Sequence, residues 1–389
     1  MLTLRFSFAV LLLYPLTWWG MLLGGWGLFI GPVAVFGSHL IIDALSARDH
    51  NSYADTPAWW ADLPLYGHLP CAAVTLVLMF WQAQPTQDLG GLGAALASVL
   101  GPWVLVAHQD FSAAEQVACA YVAGLMLSAN HIVGHELVHR RSEPMAMLAG
   151  RWLLAANGDA QFSISHVYGH HMNVGTPADP ATARRGEDVY RFAWRSAVGQ
   201  YQEAAHIEAQ RLRRLGRAVL SWHNRLLRGL AMSAVLLAAA AWWAGGTAVL
   251  MLLGSMLIAK FLFENVNYIQ HYGLVRMPGQ RVEARHSWNC DHRWATWVFY
   301  NLARHAEHHA KPVLPYWQLA PAPTPESGPS MRQGYIATML LACLPWLWWR
   351  HTAPLLAQWD ERFATDDERR LVAMYSASSH LPDPLRGGA

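Results

Sequence analysis

The chain has 389 residues, of which 53% are hydrophobic and only 14% are charged, and its formal net charge is +2. This composition is too apolar for an ordinary soluble protein, and a near-neutral charge without a basic stripe argues against a nucleic-acid partner. The four cysteines form no C-x-x-C pair. The sequence therefore predicts neither a disulfide framework nor a cysteine-held metal site, and any redox partner has to be another chain.

The N-terminal region begins with a long apolar run. Residues 6–42 contain no Asp, Glu, Lys or Arg, and a helix needs about 20 apolar residues to cross a bilayer, so this run is long enough for two helices. Tryptophans and glycines between residues 18 and 26 predict a turn between them at the membrane interface. We expect the N-terminus to remain as an anchor, because residues 1–5 precede no convincing cleavage site.

Further uncharged runs cover residues 63–87, 116–135 and 229–259. The last is again interrupted by tryptophans and glycines, which favours a second hairpin and a total of about six transmembrane helices. We interpret residues 92–106 as re-entrant or interfacial, because a seventh span would place Arg5 opposite the arginine-rich segments. Residues 333–349 are broken by Pro345 and predict another buried or interfacial helix. The expected fold class is an all-α integral membrane protein.

Three polar stretches remain, at 136–228, 272–332 and in a tail at about 351–389. The positive-inside rule places all three on the cytoplasmic face of a bacterial-type inner (plasma) membrane. Residues 200–228 have roughly helical apolar spacing, which predicts an amphipathic surface helix or, equally, a solvated connector. Because there is no internal repeat or linker, we expect one membrane-embedded domain spanning residues 1–389.

Histidines carry the strongest functional signal. His135 and His139 stand at i and i+4, so their imidazoles project from one helical face. Two more clusters and one helix end have comparable positions: His166, His170 and His171; His305, His308 and His309; and His271. The predicted hairpin at 229–259 crosses the membrane twice and returns the chain to its starting side, so all four groups of histidines can meet at one membrane face. Nine imidazoles exceed the needs of one metal ion and predict a binuclear site, but imidazole suits Zn, Cu, Ni and Fe alike.

Carboxylates near these histidines are candidates for offsetting the charge of two divalent ions and for orienting ring N–H groups. These candidates are Glu136, Asp179, Asp188, Glu264 and Glu307. For each, a surface or helix-capping role is an equal alternative. Glu264 is the strongest of these candidates, since an unpaired charge in the last apolar span is costly. The predicted catalytic residues are Glu136, Asp179 and Glu264. His131, one turn before His135, is predicted to act as a pocket or supporting residue rather than as a tenth ligand.

Two other kinds of metalloprotein fit part of this pattern. H-E-L-V-H at 135–139 also matches the zinc metallopeptidase motif H-E-x-x-H, with Glu136 as general base. That interpretation leaves the clusters at 166, 271 and 305 mostly unexplained. A metal transporter would place its ligands along a path across the bilayer, whereas these histidines crowd one face.

The chain resembles the membrane-bound alkane 1-monooxygenases and the xylene monooxygenase hydroxylase component, which are relatives of the membrane fatty-acid desaturases. The resemblance runs from about His131 to His351. Its motifs are H-E-L-V-H-R at 135–140, G-H-H at 169–171, T-P-A-D-P at 176–180, N-Y-I-Q-H-Y-G at 267–273, H-S-W-N at 286–289 and R-H-A-E-H-H at 304–309. Segments at 207–212 and 359–363 look nearer to the alkyl-arene branch.

The resemblance implies two non-haem iron ions held by the nine histidines, O₂ as oxidant, and electrons from a separate rubredoxin or ferredoxin-type reductase. Unactivated C–H bonds are beyond side-chain chemistry and require a redox metal, a role that zinc cannot fill. The expected reaction is hydroxylation of a terminal or benzylic methyl group of a lipid-dissolved hydrocarbon. A fatty-acyl desaturase is the closest alternative, because the same metal chemistry can remove two hydrogens instead.

Overall fold

The computed structural model describes residues 2–322, 324, 327–378, 381 and 385. Within these residues the chain is helical and has no β-strand; two isolated β-bridges join Arg48 to His292 and Asn289 to Ser330. The all-α prediction is confirmed. Met1, in the predicted N-terminal anchor, and most of the predicted tail beyond residue 378 lie outside the described residues.

Four helical segments of the described chain are long and apolar enough to cross a membrane. They are Gly25–Leu45, Ala58–Gln82, Ala113–His139 and Arg225–His271, and two shorter apolar helices are Ala9–Leu23 and Leu89–Leu100. The predicted turn near residue 24 is present, since Gly24 has a φ of 64°. The apolar stretches that the sequence marks as spans are therefore helical.

The longest of these segments, Arg225–His271, is two helices joined at Gly245. Gly245 has φ 73° and ψ −168°, a conformation that glycine adopts without the steric cost of a Cβ. The break falls where tryptophans and glycines predict the second hairpin turn.

The chain divides into two compact units. Unit 1 comprises Met1–Ser38, Pro57–Ala160 and Arg225–Leu262, and unit 2 comprises His39–Thr56, Gln161–Asn224 and Phe263–Ala389. The single domain expected from the sequence stays a prediction.

Unit 1 contains most of the apolar helices. Besides those given above, its helices are Leu2–Phe6, Tyr14–Leu23, Ile30–Gly37, Trp103–Gln109, Ala129–His139 and Pro144–Ala156. Part of its core is formed by Leu13, Tyr14, Val35, Cys71 and Met126, which are all buried. Residues 92–106, predicted to be re-entrant or interfacial, form the helix Leu92–Leu100 and the start of Trp103–Gln109.

Unit 1 also buries a charged cluster. Asp159 is fully buried and lies 2.8 Å from Lys260 Nζ and 3.2 Å from His131 Nε2. The Nδ1 atom of His131 accepts a hydrogen bond from the Asn157 amide at 2.8 Å. Burial opposes the charge of Asp159, but Lys260 and His131 hold its pKa below the usual value. His131 therefore lies against the side chains of Asn157 and Asp159, and its supporting role stays a prediction.

Unit 2 is built from shorter helices around the end of Arg225–His271. They are Asp43–Leu45, Phe162–Ser165, His171–Asn173, Val189–Arg214, Arg293–Val298, His305–Ala310, Tyr335–Ala342, Pro345–Arg362 and Asp366–Ser378. The predicted helix at 333–349 is thus divided at Pro345, which starts its own helix, as is common for proline at a first helical position.

The helix Val189–Arg214 differs from the amphipathic helix predicted at 200–228. It begins earlier because Asp188 caps it, accepting hydrogen bonds from the backbone of Tyr190 and Arg191 at 3.1 and 2.9 Å. It ends before Gly216, whose φ is 64°. Val189, at its start, is buried. From Phe192 onwards the buried side chains recur every four residues: Phe192, Ser196, Gln200, Ala204, Glu208 and Leu212. Three of them are polar, which predisposes this face to contact a polar site.

Candidate metal centre

Four buried histidines of unit 2 converge with their ring nitrogens, and we call them the first histidine group: His170, His271, His305 and His309. One ligand atom from each lies within 4.8 Å of those of the others. The Nε2 atom of His305 is 2.9 Å from Nε2 of His271 and 3.0 Å from Nε2 of His309. His305 and His309 come from one turn of helix, as their i, i+4 spacing predicts.

A second histidine group in unit 2 consists of His166, His171 and His308. The Nε2 atoms of His166 and His171 are 3.0 Å apart, and the rings of His171 and His308 lie 4.9 Å apart. Neighbouring residues therefore belong to different groups, since His170 and His309 are in the first group and His171 and His308 in the second.

A π-helical turn explains how the cluster His166–His171 serves both groups. Residues His166–His170 form this turn, and the backbone N–H of His171 donates to the carbonyl of His166, five residues earlier. In an α-helix, residue i+5 points about 140° away from residue i. The wider π turn brings residues i+4 and i+5 towards the same side as residue i. The α-helical spacing read from the sequence accounts for His170 but not for His171.

His135 and His139 lie in unit 1, at the end of the candidate span Ala113–His139. Their rings are 4.8 Å apart, and both project from the same helical face. The two residues are thus aligned as the sequence predicts, and their role as metal ligands stays a prediction.

The histidines of unit 2 fit a bound metal ion. His170 donates from Nδ1 to Asp179, while its buried Nε2 has no hydrogen-bond partner among the described residues. Burial, reinforced by the neighbouring histidines, lowers the pKa of His309 well below its ordinary value and keeps this ring neutral. A neutral imidazole offers one lone pair to a metal. Several such lone pairs meeting in a buried space are best satisfied by a cation.

Asp179 is the carboxylate with the clearest link to a histidine ligand. Its Oδ2 accepts hydrogen bonds from His170 Nδ1 at 2.9 Å and from Thr182 Oγ1 at 2.6 Å. Although burial opposes its charge, His170 and Thr182 hold the pKa of Asp179 below the usual value. A carboxylate on the outer nitrogen fixes which nitrogen of the imidazole faces inwards.

The other predicted carboxylates have different partners. Glu264 is 1% exposed and accepts from Gln200 at 2.7 Å and Asn267 at 3.4 Å. Glu136 accepts from Arg140 at 3.1 Å, and Glu307 pairs with Lys311 at 2.8 Å. Asp188 is the helix cap described above. The catalytic roles of Glu136, Asp179 and Glu264 stay predictions.

Sequence reasoning missed Glu203, on the helix Val189–Arg214. Its side chain lines a small cavity together with His166, His170 and Asp179. Burial and the nearby Asp179 raise the pKa of Glu203 to about 7. Glu203 could have been recognised in the sequence by its position about one turn after Gln200, next to the helical face on which polar residues are buried.

Comparison with known proteins gives consistent results. The fatty acid desaturase family model matches residues 114–338, a segment that contains all nine predicted ligands. Alkane 1-monooxygenase of Pseudomonas putida is 31% identical over 86% of this chain and 80% of that protein. The chain belongs to the fatty acid desaturase family.

Two further relatives place the chain among the monooxygenases of this family. The xylene/toluene monooxygenase hydroxylase component of Pseudomonas putida is 30% identical over 93% of this chain and 92% of that protein. Alkane 1-monooxygenase 1 of Pseudomonas aeruginosa is 35% identical, and that match spans 65% of its length and 63% of this chain. The resemblance inferred from the histidine motifs is confirmed.

The motif H-S-W-N at 286–289 forms buried contacts with other parts of unit 2. It is one of the motifs that carry the resemblance to this family. His286 is fully buried, accepts the backbone N–H of Glu283 at 2.9 Å and contacts the Glu368 carboxylate at 2.8 Å. The Trp288 indole donates to the carbonyl of Tyr272 at 2.9 Å. The motif therefore connects the C-terminal helix to the residue that follows the ligand candidate His271.

Proposed function

We propose that this protein is a non-haem di-iron monooxygenase that uses O₂ to hydroxylate a terminal or benzylic methyl group of an apolar hydrocarbon. The observation that carries the proposal is the convergence of buried histidine nitrogens in unit 2, in a chain whose relatives are named for alkane and xylene/toluene monooxygenation. The alkyl-arene relative matches nearly the whole chain, so methyl-arenes belong beside alkanes among the candidate substrates.

Nine histidines would hold the two ions. The first histidine group would supply four ligands, and His135 and His139 would join the three histidines of the second group. Two nitrogens bound at about 2.1 Å to one ion lie about 3.0 Å apart at a right angle and about 3.4 Å apart at a tetrahedral angle. The separations of 2.9–3.0 Å in the first group are short enough for neighbouring nitrogens to share one ion. We propose iron rather than zinc because oxygenation of a C–H bond needs a redox metal.

Iron held by these histidines would supply the redox chemistry that oxygenation of a C–H bond by O₂ requires. The protein's part is to hold the ligands, and Asp179 keeps the proton of His170 on Nδ1 so that Nε2 faces the ion. Each turnover consumes one hydrocarbon, one O₂, two electrons and two protons, and releases an alcohol and water. The four cysteines are unpaired, so we propose that a rubredoxin or a ferredoxin-type reductase delivers the electrons.

We also propose a single membrane-embedded domain with six spans and the metal centre on the cytoplasmic face of a bacterial inner membrane. Splitting Arg225–His271 at Gly245 and counting Ala9–Leu23 gives six helices from the described apolar segments. A hydrocarbon substrate partitions into lipid and would reach the centre between spans. Topology reporters fused after residues 87 and 222 test this arrangement: the first should report the external side and the second the cytoplasm.

The decisive experiment supplies ¹⁸O₂ to membranes containing the protein, a reductase and an iron–sulfur donor, with octane, p-xylene and a fatty acyl substrate as a panel. We expect an alcohol that carries one ¹⁸O atom and a metal content close to two irons per chain. An alkene as the only product would establish the desaturase alternative. Turnover without O₂, or one zinc per chain with peptide cleavage, would reject the monooxygenase.

A further inference from the structure

Gly169 lies between His166 and His170 in the cluster His166–His171. The Glu203 side chain occupies the space beside its Cα. A Cβ at this position would overlap the carboxylate of Glu203, which comes from the helix Val189–Arg214. Glycine is therefore required here for a reason of space: it lets an acidic side chain reach the backbone between His166 and His170.

Within the part of the chain that the structure describes, no lysine or arginine forms an ion pair with Glu203. One carboxylate oxygen is within reach of the Asn173 side chain, whereas buried Oε2 has no hydrogen-bond partner among the described residues. Glu208, on the same helix and fully buried, is held by Arg211 through two hydrogen bonds of 2.8 and 2.9 Å. A carboxylate that is kept from water and has no counter-ion is costly. The same helix thus carries one acidic residue with a cation and one without.

We propose that Glu203 is a positioning and charge-compensating carboxylate of the metal centre, acting beside the ligand candidates His166 and His170 that line its cavity. This inference rests on the metal centre proposed above. The imidazole ligands are neutral and Asp179 contributes one negative charge, so two divalent ions would leave positive charge uncompensated beside the cavity that Glu203, His166 and His170 line together. A carboxylate in that cavity favours retention of the ion and stabilises its more oxidised state.

The test measures metal retention rather than turnover. Iron-loaded wild type and the Glu203→Gln variant are transferred into excess chelator, and iron per chain is followed with time. Loss of a residue that supports metal ligands typically weakens metal binding about 10- to 100-fold, so we expect iron release from the variant to be faster by that order. Glu203→Asp keeps the charge and should recover part of the retention.

Glu208→Gln is the matched control, because it removes a buried carboxylate of the same helix that pairs with Arg211 instead. It should lower the unfolding temperature of the metal-free and metal-loaded forms alike and leave the iron release rate unchanged. Glu203→Gln should leave the metal-free form at least as stable as wild type and reduce only the gain in stability on loading.

Equal iron release from wild type and Glu203→Gln would overturn the inference, as would equal acceleration in both glutamine variants. Retention is measured without hydrocarbon or electron donor. A wild type that binds iron but oxidises no hydrocarbon therefore contradicts the proposed function, while the difference in release still decides the role of Glu203.

Discussion

The buried cluster of unit 1 and the first histidine group of unit 2 place polar side chains in the protein interior in opposite ways. In unit 1, the Asp159 carboxylate lies between Lys260 and His131, at 2.8 and 3.2 Å, so groups of complementary charge face one another. In unit 2, the Nε2 atoms of His271, His305 and His309 face each other. The first arrangement contains its own counter-ion, whereas the second could hold a cation from outside. Burial of polar residues therefore indicates a binding site only where like groups converge.

The largest effect on activity is expected from removing a histidine of the first histidine group. His309→Ala removes one candidate ligand of the first histidine group, and we expect hydroxylation to be abolished, because an ion with an incomplete ligand set is lost or misplaced. Product formation and iron per purified chain are the measurements. His206→Ala is the control, since His206 lies on an exposed helical surface beside Gln210. Wild-type activity in the His309 variant would remove it from the ligand set.

Breaking the Asp159–Lys260 ion pair of unit 1 should lower the stability of the protein without reducing its metal content. Asp159→Asn leaves the Lys260 charge buried without its counter-ion, which typically costs about 3–5 kcal/mol. Unfolding of the detergent-solubilised protein measures the loss, and iron per folded chain should stay the same. Asp159→Asn combined with Lys260→Met should recover most of the stability. A double variant as unstable as the sum of both single variants would show that the pair is not coupled.

A smaller effect on metal binding is expected from changing Asp179, which bonds His170 of the first histidine group. Asp179→Asn keeps the shape of the side chain but removes the charge that holds the proton of His170 on Nδ1. We expect metal affinity to fall about 10- to 100-fold, as measured by chelator competition. Asp366→Asn removes an exposed carboxylate and should leave affinity unchanged. Equal affinities of the Asp179 variant and wild type would show that Asp179 does not orient the ring.

The sequence was sufficient for those features that depend on local spacing. Long uncharged runs predicted the apolar helices, and tryptophan–glycine interruptions predicted the breaks near Gly24 and Gly245. Histidine pairs at i and i+4 predicted aligned rings because an α-helix turns by about 100° per residue. The motif resemblance identified the family.

Features that depend on tertiary contacts could not be read in this way. Nothing in the spacing of His166, His170 and His171 distinguishes an α turn from the π turn that aligns all three. Lys260 and Asp159 are far apart in the sequence, so their pairing follows only from the packing of their helices. In the sequence, Glu203 resembles any acidic residue of an amphipathic helix. Only the structure shows that its carboxylate fills the space that a Cβ at Gly169 would occupy.

The alternation of adjacent histidines between the two groups has a mechanical consequence. His170 is covalently joined to His171, and His308 to His309, so two peptide links connect the two ligand sets. Successive Cα atoms are held about 3.8 Å apart, and a peptide bond barely deforms. If both sets bind ions, these two short main-chain links therefore limit how far the two ligand sets can move apart, while the imidazole side chains set where each nitrogen lies.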